Sequence, residues 1–101
     1  MPTWIQEPFY NISSPAALYA VTTRAALAGI FAQSNGTAGV LTLNDCLTLA
    51  EASAANEIFS YTYEQANVGT YPLKWPLQSG LVVSAVPTGM ALNIAVEFLI
   101  P

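Results

Sequence analysis

The sequence predicts an all-β fold: an antiparallel β-sandwich or small jelly roll of six to eight strands with an extended N-terminal arm. Apolar and polar residues alternate over several short segments, which Gly, Pro and Asn residues separate at fairly regular intervals. The length of 101 residues corresponds to one domain, and a hydrophobic fraction of 53% supports a packed core. We divide the chain into an arm, residues 1–15, and a sandwich domain, residues 16–101.

The N-terminal arm combines large apolar side chains with three prolines. Proline lacks a backbone N–H, so Pro2, Pro8 and Pro15 are incompatible with a regular helix or a central strand. We expect the arm either to cover one end of its own sandwich or to lie on a neighbouring subunit, where aromatic side chains would anchor it. The predicted interface residues are Trp4, Ile5, Phe9, Tyr10 and Ile12.

The strongest local signal in the chain is Asn35-Gly36, which lies between residues 26–34 and residues 37–44. Asn-Gly favours a two-residue type I′ turn, because both residues tolerate the positive φ that this turn requires. The flanking segments are rich in apolar residues. This pattern predicts a β-hairpin with Asn35 and Gly36 at its turn.

A second hairpin is expected near the C-terminus, where Pro87-Thr88-Gly89 separates residues 81–86 from residues 90–100. Pro87 and Gly89 are its predicted turn residues. Apolar side chains fall at every second position from residue 90 to residue 100, so they share one face of the strand. We expect this face in the core, with Leu92, Ile94, Val96 and Phe98 as core residues.

Two further strands are expected between these hairpins. Residues 58–63 are rich in aromatic and β-branched side chains, and residues 70–77 alternate between large apolar residues and others. We assign Trp75 to the core. The two prolines of the second segment predict either an edge strand or a strand that is interrupted near its end.

Two segments also have helical features. Residues 45–56 include Thr48 and Glu51 at the spacing of a capping box, but they have few large apolar side chains, so we interpret this segment as mainly loop. A short helix there remains the alternative. The alanine-rich residues 17–32 are compatible with an amphipathic helix, but two consecutive threonines and the following turn favour strands, the first over residues 17–23.

Composition excludes several classes of function. The chain has no His and only one Cys, so it has neither a His-based catalytic triad, nor a His-ligated zinc site, nor an internal disulfide. Two basic residues and a net charge of −4 are incompatible with nucleic-acid binding, which requires several phosphate contacts. We also expect no signal peptide, no transmembrane helix and no membrane partner.

Low charge also indicates association. Charged residues make up 8% of the chain, against about 25% in ordinary soluble domains. Such a surface has few groups that keep it from associating, so we expect part of it to be covered by other copies or by a partner.

Candidate catalytic and metal-binding groups have simpler interpretations. Asp45 and Glu51 are a conceivable carboxylate pair of a glycosidase, and Asn44 with them offers oxygen ligands for calcium, but the EF-hand pattern is missing. A solvated loop is the simpler interpretation. Ser79 or Ser84 is a conceivable nucleophile with Lys74 as its base, but these residues lack the Ser-x-x-Lys spacing of such a pair. We predict no catalytic residues, no cofactor and no bound metal, so the protein is not expected to be an enzyme.

Two other features have a structural and a functional interpretation. Cys46 is interpreted as a small buried hydrophobic residue. Exposed aromatic side chains form stacking platforms for sugars, whereas aromatic residues on strands are more often core residues or cross-strand pairs. The aromatic residues concerned are Tyr61, Tyr63, Tyr71 and Trp75.

Three segments together resemble a family. They are the run from Gly36 to Cys46, the triplet Lys74-Trp75-Pro76 and the run from Ser79 to Gly89, followed by a closing strand. This pattern resembles short virion-associated proteins of tailed bacteriophages, which are small β-sandwich proteins of the head decoration, cement or head-fibre type. The resemblance covers residues 16–100 and includes no diagnostic motif.

The resemblance implies a capsid decoration or cement protein without catalytic residues. Its expected partners are the major capsid protein or other virion proteins, together with copies of itself in a dimer or trimer. Its expected location is the surface of the phage particle, after assembly in the host cytoplasm. Two alternatives remain open: a structural component of the tail, collar or baseplate, and a surface module that binds glycans.

Overall fold

The computed structural model describes residues 3–32, 39–63 and 69–100, which form eight β-strands. The strands are β1 (Thr3–Ile12), β2 (Ala16–Ala20), β3 (Ala25–Ala32), β4 (Gly39–Asn44), β5 (Glu57–Tyr63), β6 (Gly69–Leu77), β7 (Gly80–Ala85) and β8 (Leu92–Ile100). Two short 3₁₀ turns, Leu49–Glu51 and Ala54–Asn56, lie between β4 and β5. Residues 45–56 are thus mainly loop, with single helical turns.

The strands form two antiparallel four-stranded sheets that pack face to face. Sheet A has the order β1-β8-β3-β6, and sheet B has the order β2-β7-β4-β5. Along the chain, the connection from β4 to β5 stays in one sheet, and each of the others crosses to the opposite sheet. This is the strand order of a jelly roll. The predicted all-β sandwich is therefore confirmed.

The first predicted hairpin is wrong in its pairing. Strand β3 lies in sheet A beside β6 and β8, whereas β4 lies in sheet B beside β5 and β7. Both strands exist near the predicted positions, but a turn signal indicates only that the chain reverses, not which sheet it enters next. The predicted turn residues, Asn35 and Gly36, lie outside the described residues.

The second predicted hairpin is also wrong in its pairing, although its turn is present. The Met90 N–H donates to the Pro87 carbonyl at 3.1 Å, and Gly89 has a φ of 83°, which glycine adopts without strain. This turn carries the chain from β7 in sheet B to β8 in sheet A. The turn residues are thus located correctly, but they join two sheets because each sheet needs one of the two apolar strands to complete the shared core.

Most of the segment assigned to the arm forms a strand. Residues 3–12 are β1, one of the two edge strands of sheet A, and they pair with β8 from Thr3 opposite Ile100 to Ile12 opposite Leu92. Proline is tolerated here because an edge strand leaves one row of backbone groups unpaired within the sheet. A register shift precedes Ile12, and Asn11 has a φ of 57° there. The segment therefore belongs to the sheet rather than standing apart from it.

The core lies between the inner faces of the two sheets. Its largest fully buried side chains are Leu27, Ile30, Leu41, Leu43, Leu81, Val83, Met90, Leu92, Ile94 and Val96. Phe98 is partly buried and packs against this cluster. Its ring stacks on the Tyr19 ring, with 6.3 Å between the two ring centroids. The face of β8 that the alternation assigns to the core is thus the inner face of sheet A.

Trp75 is not a core residue, and that prediction is wrong. Its side chain is 49% exposed, although it lies on the same side of β6 as the buried Leu77. Strand β6 is an edge strand, so a side chain that points inward has a neighbouring strand on one side only. Trp75 therefore lies at the open lateral edge of the sandwich.

Candidate binding surfaces

The outer face of sheet A is unusually apolar. In an antiparallel sheet, residues that oppose one another on paired strands project to the same side, so the register defines this face. We call it the outer A face; its residues with described side chains are Trp4, Gln6, Pro8, Ala26, Gly29, Phe31, Pro76, Asn93, Ala95, Glu97 and Leu99, together with Tyr10, which lines the same depression as Pro8 and Ala95. Of these residues, Glu97 alone is charged. The outer face of a sandwich is usually polar, so this composition makes the outer A face a candidate binding surface.

The centre of the outer A face is a shallow apolar depression of about 270 Å³. Ala95 opposes Pro8 on β1 and Gly29 on β3, and these three small or compact residues form a row across the sheet. The larger Tyr10 and Phe31 line the same depression on one side of this row, where Phe31 opposes Asn93. The Tyr10 side chain is 65% exposed and the Phe31 side chain 40%. The face therefore combines a low centre with two projecting aromatic side chains, a shape that fits a complementary protein surface.

The predicted interface residues divide between two environments. Trp4, Ile5 and Tyr10 have exposed side chains, whereas Phe9 and Ile12 are partly buried against the core of their own sandwich. Trp4 and Tyr10 belong to the outer A face, which they share with residues that the sequence did not mark as an interface, such as Phe31 and Ala95. The absence of polar residues from β3 was the available signal for those residues.

The outer face of sheet B carries a network of polar side chains that is bonded to the chain's own loop. The Ser84 hydroxyl donates to the Asn44 side-chain oxygen at 2.6 Å. The Asn44 amide nitrogen donates to the Ser53 carbonyl at 2.9 Å and to the Asn56 side-chain oxygen at 2.8 Å. Asn44 is 2% exposed, and these bonds avoid the cost of a buried unpaired amide. This part of the outer face of sheet B is thus occupied by hydrogen bonds within the chain.

Asp45 has a structural role. Its carboxylate accepts hydrogen bonds from three consecutive backbone N–H groups, those of Gln78 and Ser79 at 2.8 Å each and that of Gly80 at 3.1 Å. Both carboxylate oxygens are therefore engaged in holding the turn between β6 and β7. Sequence analysis did not find this role, because the partners lie more than 30 residues away along the chain.

Glu51 likewise serves the local backbone. Its carboxylate accepts hydrogen bonds from the Thr48 N–H at 3.1 Å and from the Thr48 hydroxyl at 3.0 Å, at the start of the first 3₁₀ turn. Within the described ranges, no group of three or more His, Cys, Asp or Glu side chains is placed to hold a metal ion. The calcium and glycosidase interpretations of Asn44, Asp45 and Glu51 therefore gain no geometric support.

The structure also shows the surroundings of three other residues that the sequence analysis considered, Ser79, Ser84 and Cys46. Ser84 is bonded to Asn44, Ser79 lies in the turn that Asp45 holds, and the side chain of Lys74 lies outside the described part of the structure. Cys46 is buried, and its thiol lies 3.4 Å from the Thr48 carbonyl. Burial raises the pKa of the Cys46 thiol, and the nearby Glu51 and Asp45 carboxylates raise it further.

A second surface feature lies at the lateral edge of the sandwich, beside Trp75. It is an open groove of about 250 Å³ between the end of β6 and the start of β5. We call it the Trp75 groove; its lining residues are Asp45, Ala55, Asn56, Glu57, Ile58, Trp75, Pro76, Gln78 and Ser79. Tyr61 is exposed but does not line the groove, and the side chains of Tyr63 and Tyr71 lie outside the described part.

Comparison with known proteins identifies no relative of this chain. No protein-family model matches it, and neither a curated protein nor a solved structure matches it. Among the residues that the structure describes, no helix is long and apolar enough to cross a membrane. The function must therefore be argued from the two surfaces described above.

Proposed function

We propose that the protein is a structural subunit of a tailed-bacteriophage virion, a decoration or cement protein that binds the lattice of major capsid protein and stabilises the head. The observation that supports this proposal is the outer A face, an apolar sheet surface on a molecule with little charge. The resemblance described above and the jelly-roll order are consistent with it, because jelly rolls occur in viral capsid domains. Fold alone does not decide function, so the argument depends on the surface.

The size of the outer A face is adequate for a specific contact. Four strands spaced about 4.8 Å apart, each about nine residues long at about 3.4 Å per residue, span a footprint of roughly 590 Å². A standard interface covers about 800 Å² per partner, and the lower limit for a specific one is near 500 Å². The outer A face thus supplies most of one such interface.

Because the protein carries little charge, burial of the outer A face against a partner is favourable. An accessible surface of 5584 Å² shared among eight charged residues leaves about 700 Å² for each. On such a surface, few charged residues lie between neighbouring apolar side chains. Burial of these apolar side chains is favourable by about 25 cal/mol per Å². In a particle that repeats the same contact many times, a modest free energy per copy is sufficient.

A matched pair of substitutions tests this proposal. Ala95→Lys places a charge in the centre of the outer A face, and Ser60→Lys places the same charge on sheet B, where Ser60 is exposed and opposes Thr42. We expect wild type and Ser60→Lys, but not Ala95→Lys, to bind virions that lack the protein and to raise the temperature at which those virions release DNA. Circular dichroism should show that both variants are folded.

Three results would contradict the proposal: virions with equal thermal survival with and without the protein, no binding of the wild type to them, or undiminished binding of Ala95→Lys. Counting copies per virion by quantitative densitometry separates the head position from a tail, collar or baseplate position. A decoration protein that covers a repeating lattice is expected in many more copies per virion than a tail, collar or baseplate component.

A further inference from the structure

We propose that the Trp75 groove binds a pyranose ring of a carbohydrate. The indole of Trp75 is half exposed at the sandwich edge, and exposed polar side chains from Glu57, Gln78 and Ser79 line the same groove. A sugar ring has an apolar C–H face that stacks on an aromatic ring and hydroxyl groups that bond to polar side chains around it. The groove offers both kinds of partner at one place.

Other classes of ligand fit the groove less well. A wholly apolar ligand would displace water from the polar side chains of the groove without bonding to them, which costs free energy. An anionic ligand would meet Glu57 and Asp45 on a chain whose net charge is −4. Sites for drug-sized ligands usually measure about 300–1,000 Å³, so a groove of about 250 Å³ suits a single ring. A neutral, polar ring with one apolar face is the best match.

The polar side of the groove is held rigidly. The Asp45 carboxylate accepts hydrogen bonds from the backbone of Gln78 and Ser79, and the Ser79 carbonyl accepts one from the Val21 N–H at 2.9 Å. On the opposite side, the Asn56 amide donates to the Glu51 carbonyl at 2.9 Å, and the Asn56 carbonyl accepts from the Asp45 N–H at 2.8 Å. A groove whose backbone is fixed before binding loses less conformational entropy when it binds.

This inference does not depend on the virion proposal, because the Trp75 indole and the outer A face are on opposite sides of β6, although Pro76 borders both surfaces. Pro76 belongs to the outer A face, whereas Trp75 is on the opposite side of the strand, with the buried Leu77. A subunit that binds a capsid through sheet A therefore keeps the Trp75 indole off that interface. Failure of capsid binding and failure of sugar binding are separate experimental results.

The chain offers a direct reporter for the test. It has two tryptophans, so the Trp4→Phe variant reports on Trp75 by intrinsic fluorescence. The probes are glucose, galactose, mannose and N-acetylglucosamine and their β-linked disaccharides, titrated to about 50 mM because isolated sugar sites are weak. We expect at least one probe to shift the Trp75 emission with a saturable response.

Two variants and a control complete the test, with affinity measured by NMR titration of backbone amides. Trp75→Ala should weaken binding by at least about tenfold, and the milder Trp75→Phe, which keeps a stacking ring, by a few-fold. Tyr61→Ala, an exposed aromatic position outside the groove, should leave binding unchanged. The proposal is overturned if no probe produces a saturable response, or if folded Trp75→Ala binds as tightly as wild type.

Discussion

The Asp45 carboxylate lies 2.8 Å from the backbone nitrogen of Ser79 and accepts its hydrogen bond, although 34 positions separate the two residues in the sequence. The same carboxylate accepts the neighbouring N–H groups of Gln78 and Gly80. This arrangement connects the end of β4 in sheet B to the turn that follows β6 in sheet A. One acidic side chain thus ties the two sheets together at one end of the sandwich.

Replacing Asp45 should therefore destabilise the fold. Asp45→Asn keeps the shape of the side chain but replaces one acceptor oxygen with a donor that faces the Gln78 N–H. Hydrogen bonds to charged groups contribute about 1.5–3 kcal/mol, so we expect the free energy of unfolding to fall by about 1–3 kcal/mol. Urea denaturation at neutral pH measures this change. Glu57→Gln, at an exposed carboxylate, is the control and should change stability by less than about 0.5 kcal/mol.

Gly80 should not tolerate a side chain. A Cβ atom there would lie 2.5 Å from the Tyr19 carbonyl oxygen and 2.6 Å from the Cys46 carbonyl oxygen, and both obstacles are backbone atoms. Overpacking of this kind costs about 1–3 kcal/mol, so Gly80→Ala should lower the thermal midpoint by several degrees. Ser79→Ala, at the exposed neighbouring position, keeps the backbone bond to Asp45 and should melt close to wild type. Equal melting of both variants would contradict the close packing of β7 against these carbonyls.

Alkaline pH should destabilise the domain through Cys46. Burial, followed by the charges of Glu51 and Asp45, raises the pKa of its thiol above the usual value near 8.5. The unfolded chain therefore loses this proton at lower pH than the folded chain, so the stability from the buried neutral thiol is complete below the unfolded pKa and is lost as pH rises through the folded pKa. Burial and the charge of Glu7 also raise the pKa of Tyr19, which acts in the same direction at higher pH.

Urea denaturation between pH 7 and pH 10.5 measures this effect. We expect wild-type stability to decline above about pH 8.5, and the Cys46→Ala variant to decline less over the first part of that range. A thiol reagent at pH 7.5 should react slowly with the folded protein and rapidly after unfolding, because the Cys46 thiol is buried. Identical pH profiles for wild type and Cys46→Ala would show that the thiol has no part in the decline.

Deleting residues 1–14 tests whether the N-terminal segment is a strand or a detachable arm. The deletion removes β1, exposes the edge of β8 and takes Phe9 and Ile12 away from the core. We expect a loss of several kcal/mol in unfolding free energy and a tendency to aggregate through the new edge. Differential scanning calorimetry and light scattering measure both effects. A truncated chain that melts like the full-length protein would instead identify β1 as an arm that is free to bind a neighbouring subunit.

The sequence indicated much of the local structure and little of the candidate surfaces. The alternation in β8 marks one face as Leu92, Ile94 and Val96, and those three residues are buried because a strand exposes its side chains alternately to each face. For Trp75 the same reasoning failed, since periodicity gives the side of the strand but not whether another strand lies beside it. The outer A face and the Trp75 groove each require knowledge of which strands are neighbours.

Local patterns indicate the approximate positions of seven of the eight described strands, but not of β1, whose prolines led us to assign it to an arm. They also indicate where the turn at Pro87 and Gly89 falls and how little charge the chain carries, because these properties depend on neighbouring residues. Tertiary packing decides that β3 and β4 separate into different sheets, that Trp75 lies at an open edge and that Asp45 meets Ser79. These features join residues far apart in the chain. Burying the apolar faces of both sheets at once selects that arrangement, and a short stretch of sequence carries no information about such a global minimum.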